Sequence, residues 1–134
     1  MDHISTDFID VRYDRENDIL ISTWQPATEN AEWEDIRSGF MDYFIKMVKE
    51  HNPKHLINDE REMHRPYSPE EQAYIDKNSA PVVLNSSVEK IAIKISHDGF
   101  VELSSETMME EEVSKELNAK YFETFDEAKQ WVLE

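Results

Sequence analysis

The chain contains no cysteine, which excludes disulfide bonds, thiolate metal ligands and a cysteine nucleophile. It has only two glycines, Gly39 and Gly99, too few for the glycine-rich loops that cradle phosphates in P-loop and dinucleotide-binding proteins. No apolar stretch approaches the length that crosses a bilayer, and the N-terminus lacks the basic and apolar regions of a signal peptide. We therefore expect a cytoplasmic protein with no membrane insertion and no cofactor.

Basic residues are also scarce, with 14 lysines and arginines against 30 acidic residues and a formal net charge of -16. The acidic residues are spread along the chain. Such a surface repels phosphate backbones and anionic membranes and favours basic partners, so we predict no nucleic-acid binding.

Periodicity predicts an N-terminal hairpin, because residues 8–13 alternate polar and apolar side chains and residues 19–24 form a second β-rich run. Apolar residues then recur at spacings of three and four from Trp33 to Val48, which predicts a long amphipathic helix that Thr28 or Asn30 caps and Asn52-Pro53 ends. A short apolar run, His55 to Asp59, predicts a central strand covered on both faces.

The second half repeats the pattern of strand and helix. Ser68-Pro69-Glu70-Glu71 opens a helix that Pro81 interrupts, and Ile91, Ile93 and Ile95 alternate as a strand. Met109, Val113 and Leu117 predict a helix with Glu110, Glu111 and Glu112 on its outer face. A strand over 120–122 and a helix with the capping box Thr124 to Glu127 complete the chain.

The predicted element order is ββαβαβαβα over one domain, residues 1–134, with residues 1–6 loosely ordered. Strands separated by helices lie parallel through right-handed crossovers. We therefore predict an α/β fold with a mixed, mostly parallel five-stranded sheet, an antiparallel N-terminal hairpin and about four covering helices.

This order resembles that of the SpoIIAA-like proteins, which are relatives of the STAS domains. The resemblance spans nearly the whole chain and includes Trp24 near the end of the hairpin, the strand ending on Asp59, the strand over 90–93 and the closing segment over 121–133. It implies a regulatory or ligand-binding module without catalytic activity. The match departs from the family in one respect, because Asp59 is followed by Glu60, Arg61 and Glu62 and not by the serine whose phosphorylation switches STAS antagonists.

The loop after Asp59 is the candidate site, since a strand that leads to a helix N-terminus is a common binding position in α/β sheets. Arg61, His64, Arg65 and Tyr67 cluster there, and a carboxylate or phosphate is the ligand that they and the following helix favour. In the alternative interpretation the arginines pair with Asp59, Glu60 and Glu62 in a solvated loop. Ser68 is explained by helix capping. The predicted ligand-binding or partner-binding residues are Asp59, Arg61, His64, Arg65, Tyr67, Ser68 and Tyr74.

These residues are compatible with two function classes. The first is a regulatory module that docks an unidentified protein partner through the 59–74 segment, with a homodimer left open. The second is a carrier or sensor of a small amphipathic anion or lipid, in which Met63, Tyr67 and Tyr74 line an apolar pocket beside the arginines.

We expect no enzyme, because the chain lacks a nucleophile elbow and its many carboxylates make any one pair uninformative, and we predict no metal site. Between the two function classes, a closed pocket with convergent polar groups favours the carrier or sensor, and a large exposed apolar patch favours the module that docks a partner.

Overall fold

The computed structural model describes all 134 residues and contains one six-stranded sheet with strands in the order of the sequence. The strands are β1 His3–Ser5, β2 Ile9–Asp14, β3 Ile19–Trp24, β4 His55–Asp59, β5 Lys90–Lys94 and β6 Ala119–Phe122. The first three strands are antiparallel, and β3 to β6 are parallel. The predicted α/β class and mixed sheet with an N-terminal hairpin are confirmed.

The hairpin register aligns Ile9 with Trp24 and Asp14 with Ile19. Asp18 closes the turn with a left-handed φ of 56°, a conformation that aspartate tolerates better than most residues. Its carboxylate accepts a 2.6 Å hydrogen bond from the Tyr13 hydroxyl. The polar turn therefore fixes the register that places Trp24 on the core face.

The expectation of five strands and a loosely ordered N-terminus was wrong. Residues 3–5 form β1, which pairs with β2, and the amide of Tyr13 donates to the carbonyl of Asp2. The amino group of Met1 lies 2.7 Å from the Glu50 carboxylate. A short run such as His-Ile-Ser carries almost no strand signal of its own, and it becomes ordered because β2 offers an unpaired edge.

Four helical segments accompany the sheet. The first comprises α1 Trp33–Ser38, a π-helical turn Gly39–Phe44 and α2 Ile45–His51. The others are α3 Pro69–Asn78 with α4 Ala80–Leu84, then α5 Gly99–Met109, and finally α6 Phe125–Val132. Two short 3₁₀ turns, Pro26–Asn30 and Ser114–Glu116, complete the chain.

The first helical segment follows the predicted span, but its cap differs. Glu32 is the N-cap and forms a capping box with Asp35, whereas Thr28 is buried one turn earlier and donates its hydroxyl to the carbonyl of Gln25. The segment ends at Asn52, as predicted, and the structure shows that this residue adopts a left-handed conformation. The π-helical turn begins at Gly39, where a Cβ would lie 2.7 Å from the Trp24 ring.

The predicted helix through Met109, Val113 and Leu117 was wrong in position. Helix α5 ends at Met109, and the residues after it form a turn and a 3₁₀ turn. Asp98 caps the true helix by accepting from the amide of Phe100. The spacing of four was misleading because Met109 and Leu117 both reach the core, but from separate elements.

The two faces of the sheet carry separate cores. The larger core packs the face of Val11, Leu20 and Leu56 against the first helical segment, α3, α4 and α5. The smaller one packs Ile19, Ile21, Ile57 and Ala92 against α6. Strand β4 is covered on both faces, as its unbroken apolar run indicated. None of the helices combines the length and apolar character that a membrane span requires.

Candidate functional site

Arg65 in the predicted loop forms its hydrogen bonds with groups of the protein itself. Its guanidinium group donates two 2.8 Å hydrogen bonds to the two carboxylate oxygens of Glu71, and its Nε donates to the carbonyl of Ala31. The pairing raises the pKa of Arg65 and lowers the pKa of Glu71. Such a two-point contact fixes the loop against α3 and leaves little of the guanidinium for an external anion.

Ser68 and Tyr74 also have structural partners. The Ser68 hydroxyl accepts from the amide of Glu71, and the Glu71 carboxylate accepts from the amide of Ser68, which completes the predicted capping box. The half-buried ring of Tyr74 packs edge-on against Trp33, with ring centroids 5.5 Å apart. The capping box begins α3, and the contact between Tyr74 and Trp33 joins α3 to the first helical segment.

The remaining predicted residues do not share one crevice with Arg65. The carboxylate of Asp59 accepts from the backbone amide of Arg61, and the Arg61 side chain approaches Asp59 and Glu62 only to 3.8 and 3.9 Å. His64 lies 3.9 Å from Glu62. Because side chains alternate along a strand, Asp59 shares the sheet face of Ile57, which packs against α6. The structure therefore places Asp59 on one face of the sheet and Tyr67, in the larger core, on the other.

Glu60 is a buried carboxyl group that was absent from the predicted site. It follows β4 and is only 1% exposed, and its carboxylate accepts a 3.3 Å hydrogen bond from Asn58 Nδ2. Burial raises the pKa of Glu60 to about 7, although Ser105, Asn58 and Tyr67 beside it favour the ionised form. The alternation of the strand was the available signal, since it places Glu60 on the same face as Asn58 and Leu56.

Two hydroxyls next to Glu60 lack partners. Tyr67 Oη and Ser105 Oγ are buried and make no hydrogen bond of good geometry, although both lie beside the carboxyl group. The burial of Tyr67 and the nearby Glu60 hold the pKa of the Tyr67 phenol well above its usual value. Buried polar groups normally find partners, and besides these two hydroxyls only the Nδ1 atom of His55 lacks one.

A cavity of about 70 Å³ lies between the sheet and the helical layer beside this cluster. Thirteen of its eighteen lining residues are hydrophobic, and the other five are uncharged polar residues. The apolar lining residues are Ile9, Trp24, Phe40, Phe44, Leu56, Ile75, Ala80, Val83, Ile91, Ile93, Met108, Met109 and Leu117. The polar ones are Ser22, Asn58, Ser79, Ser105 and Ser114. The walls therefore suit an apolar molecule with few polar groups.

The polar end of the cavity is an ordered chain of hydrogen bonds. Ser22 Oγ donates to Asn58 Oδ1, and Asn58 Nδ2 donates to Glu60. Ser105 enters the cavity from α5, opposite these strand residues. The pocket that we expected from Met63, Tyr67 and Tyr74 is not this one, because Met63 is fully buried in the core and none of the three lines the cavity.

No group of three histidine, aspartate or glutamate side chains has a metal-binding arrangement. No protein-family model matches the chain, and neither the curated proteins nor the solved structures give a match. The SpoIIAA-like resemblance therefore stays a prediction from residues and element order. Any functional proposal for this chain depends on its fold and on the buried cluster.

Proposed function

We propose that the protein is a non-enzymatic module that binds a small amphipathic molecule in the cavity between its sheet and its helical layer. The observation that carries this proposal is the apolar cavity into which Asn58 and Ser105 bring hydrogen-bonding groups. Concave, mostly apolar sites with a few convergent polar groups are the usual form of small-molecule sites. Arg65 is held by Glu71 and offers little to a phosphate or carboxylate, whereas Arg61 is half-exposed and lies outside the cavity.

The size of the cavity limits the part of the ligand that is held tightly. Its volume, about 70 Å³, is half that of an engineered protein cavity of about 150 Å³ that binds benzene or xenon. A group of roughly three or four non-hydrogen atoms therefore fits without rearrangement. Longer tails need movement of Met108 and Met109, whose unbranched side chains adapt easily to a new shape.

Xenon is a suitable first probe because it enters apolar cavities of this kind without any polar contact. In methyl-labelled protein under xenon pressure, we expect saturable shifts at Leu56, Ile91 and Met108, and none at Ile19 and Ile57 in the smaller core. Uniform small shifts in both cores, or none at all, would contradict the proposal.

A matched pair of variants tests whether the cavity holds a natural ligand. Ala80→Leu fills it from α4, while Ala73→Leu makes the same change on the exposed face of α3. Each protein is incubated with the small-molecule fraction of a lysate, purified again and extracted for mass spectrometry. We expect one molecule to be retained by the wild type and Ala73→Leu and lost in Ala80→Leu. Identical extracts from all three proteins would refute ligand binding at this position.

A second candidate function, docking of a protein partner, is favoured by the outer face of α5. Phe100 is 78% exposed and Leu103 is 62% exposed, one helical turn apart. Glu102, Glu106 and Glu110 flank them, in a chain of net charge -16. This α5 face fits a basic amphipathic helix, whose apolar side covers the two exposed residues while its lysines meet the glutamates.

A short amphipathic peptide of leucine and lysine tests this second candidate, with a glutamate version of the peptide as the control ligand. We expect the double variant Phe100→Ser/Leu103→Ser to bind the basic peptide at least tenfold more weakly than the wild type. Leu133→Ser removes another exposed leucine outside the α5 face and should leave the affinity unchanged. Equal affinity in the double variant would mean that the basic peptide is attracted only by the net negative charge of the protein, and would refute docking at the α5 face.

A further inference from the structure

The lining of the cavity excludes charged ligand groups. None of its eighteen residues is charged, and Glu60 lies behind Asn58 and does not line the cavity. A carboxylate or ammonium group placed there loses its water without gaining a direct ionic partner, which is strongly unfavourable. An anion is also repelled by the Glu60 carboxylate whenever that group is ionised. The tightly held end of the ligand is therefore uncharged.

Ser105 is the polar group that remains available to this end. It is 1% exposed and lines the cavity, and its hydroxyl makes no hydrogen bond of good geometry, although the Glu60 carboxyl group lies beside it. The other polar side chains at that end already bond one another, since Ser22 donates to Asn58 and Asn58 donates to Glu60. A serine hydroxyl has one proton and two lone pairs, so a bond to Glu60 still leaves hydrogen-bonding capacity for a group in the cavity.

The position of Ser105 beside Glu60 indicates which hydrogen-bonding character the ligand needs. When Glu60 is ionised, the Ser105 hydroxyl donates to the carboxylate and offers its lone pairs to the cavity, so the ligand must donate. When Glu60 is protonated, the acid donates to Ser105 and the serine donates to the ligand, so the ligand must accept. A hydroxyl group satisfies both arrangements.

We infer that the cavity takes an uncharged aliphatic molecule that carries a hydroxyl group, held by Ser105 at its polar end. This inference rests on the proposed function and narrows its ligand from an amphipathic molecule of any charge to an alcohol. The apolar walls contact the chain of the molecule, and Ser105 fixes the direction in which it enters.

Three small probes with four carbon atoms separate the head groups: butan-1-ol, butanoate and butan-1-amine. Each is longer than the three or four non-hydrogen atoms that fit without rearrangement, so all three require movement of Met108 and Met109. Each is titrated into methyl-labelled protein at pH 8, and the shifts of Ile91, Ile93 and Met108 give the dissociation constant. We expect butan-1-ol to bind at least tenfold more tightly than either charged probe. Equal or tighter binding of butanoate or butan-1-amine at these methyls would overturn the inference.

The role of Ser105 is tested by a matched pair of serine variants. Ser105→Ala removes the hydroxyl and should weaken butan-1-ol binding about five- to tenfold, the range expected for one hydrogen bond. Ser38→Ala makes the same change on the first helical segment, outside the cavity, where the hydroxyl donates to Asp42, and should alter the affinity less than twofold. Xenon binding should survive in both variants, which shows that the cavity remains folded. Equal butan-1-ol affinity in the two variants would refute the role of Ser105.

The outcomes distinguish the two levels of the proposal. A cavity that takes up neither xenon nor any four-carbon probe refutes the proposed function itself. A cavity that takes up xenon but does not prefer the alcohol leaves small-molecule binding standing and overturns only the assignment of the head group.

Discussion

Replacing Glu60 with glutamine should stabilise the protein at alkaline pH and change its stability little at pH 5. Burial raises the pKa of Glu60 in the folded state to about 7, from an ordinary value of 4.5. Between these values the folded state binds more protons than the unfolded state, so the free energy of unfolding falls as the pH rises. The stability that the fold gains from protonated Glu60 is fully present below pH 4.5 and is lost above pH 7. Glutamine has no charge to bury and escapes this loss.

The pKa change sets the magnitude of the effect. A rise from 4.5 to about 7, at 1.36 kcal/mol for each pKa unit, corresponds to about 3 kcal/mol of lost stability in the wild type at pH 8.5. Glutamine also retains an amide oxygen that can accept from Asn58. We therefore expect the difference between Glu60→Gln and the wild type to grow from a small value at pH 5 to about 3 kcal/mol at pH 8.5.

Urea unfolding between pH 5 and pH 8.5 measures this difference. The chain carries 30 acidic residues, whose mutual repulsion also weakens the fold as the pH rises. Glu62→Gln is the matched control, because it removes the same charge from a half-exposed position two residues away. Its difference from the wild type should stay nearly flat across the same range.

A stability gain for Glu60→Gln that does not change with pH would refute this reasoning. A gain that is larger at pH 5 than at pH 8.5 would mean that the fold prefers the ionised carboxylate, with Tyr67 and Ser105 donating to it. Carbon NMR of the labelled Glu60 side chain gives its titration midpoint directly and separates the two cases.

Three further predictions concern the scaffold, and urea unfolding measures each of them. Arg65→Lys keeps the charge but loses the two-point contact with Glu71, and should cost about 1 to 2 kcal/mol; equal stability would mean that this contact does not hold the loop. Gly39→Ala places a Cβ 2.7 Å from the buried Trp24 ring and should destabilise the protein by about 1 to 3 kcal/mol. In the double variant with Trp24→Phe, the smaller phenyl ring should relieve this cost. Ser68→Ala removes the hydroxyl of the capping box and should cost about 1 kcal/mol, whereas Ser68→Asp should recover most of it.

Much of the fold could be predicted from the sequence because its elements satisfy local rules. The hairpin over residues 8–24, the strand His55–Asp59 and the helix that Ser68 caps each combine periodicity with a clear start or stop signal. Two of the failures concern elements that lacked such signals. Strand β1 has only three residues and depends on the edge of β2, and the predicted helix over 109–117 joined core residues that belong to two different elements.

The candidate site was harder to predict, because a cluster in sequence is not a cluster in space. Asp59 and Glu60 are adjacent, yet Asp59 ends β4 on the face of Ile57, whereas Glu60 contacts Asn58 and Ser105 on the other face. The Arg65 interaction with Glu71 required the orientation of α3, and the contribution of Ser105 required the packing of α5 over the sheet. Both depend on contacts between residues far apart in the chain, which periodicity does not report.

The cost of the Glu60 cluster is itself an argument about function. A domain of this size is stable by only about 5 to 15 kcal/mol, so about 3 kcal/mol lost to one buried carboxyl at alkaline pH is a large fraction. We expect glutamine to fit the same space and to avoid this loss. Departures from local rules that lower stability are expected at functional sites. The polar end of the cavity also lies near the carboxyl ends of β3 and β4, where ligands bind in open α/β sheets. The position of Glu60 beside Ser105, at this end of the cavity, therefore agrees with the proposed ligand site.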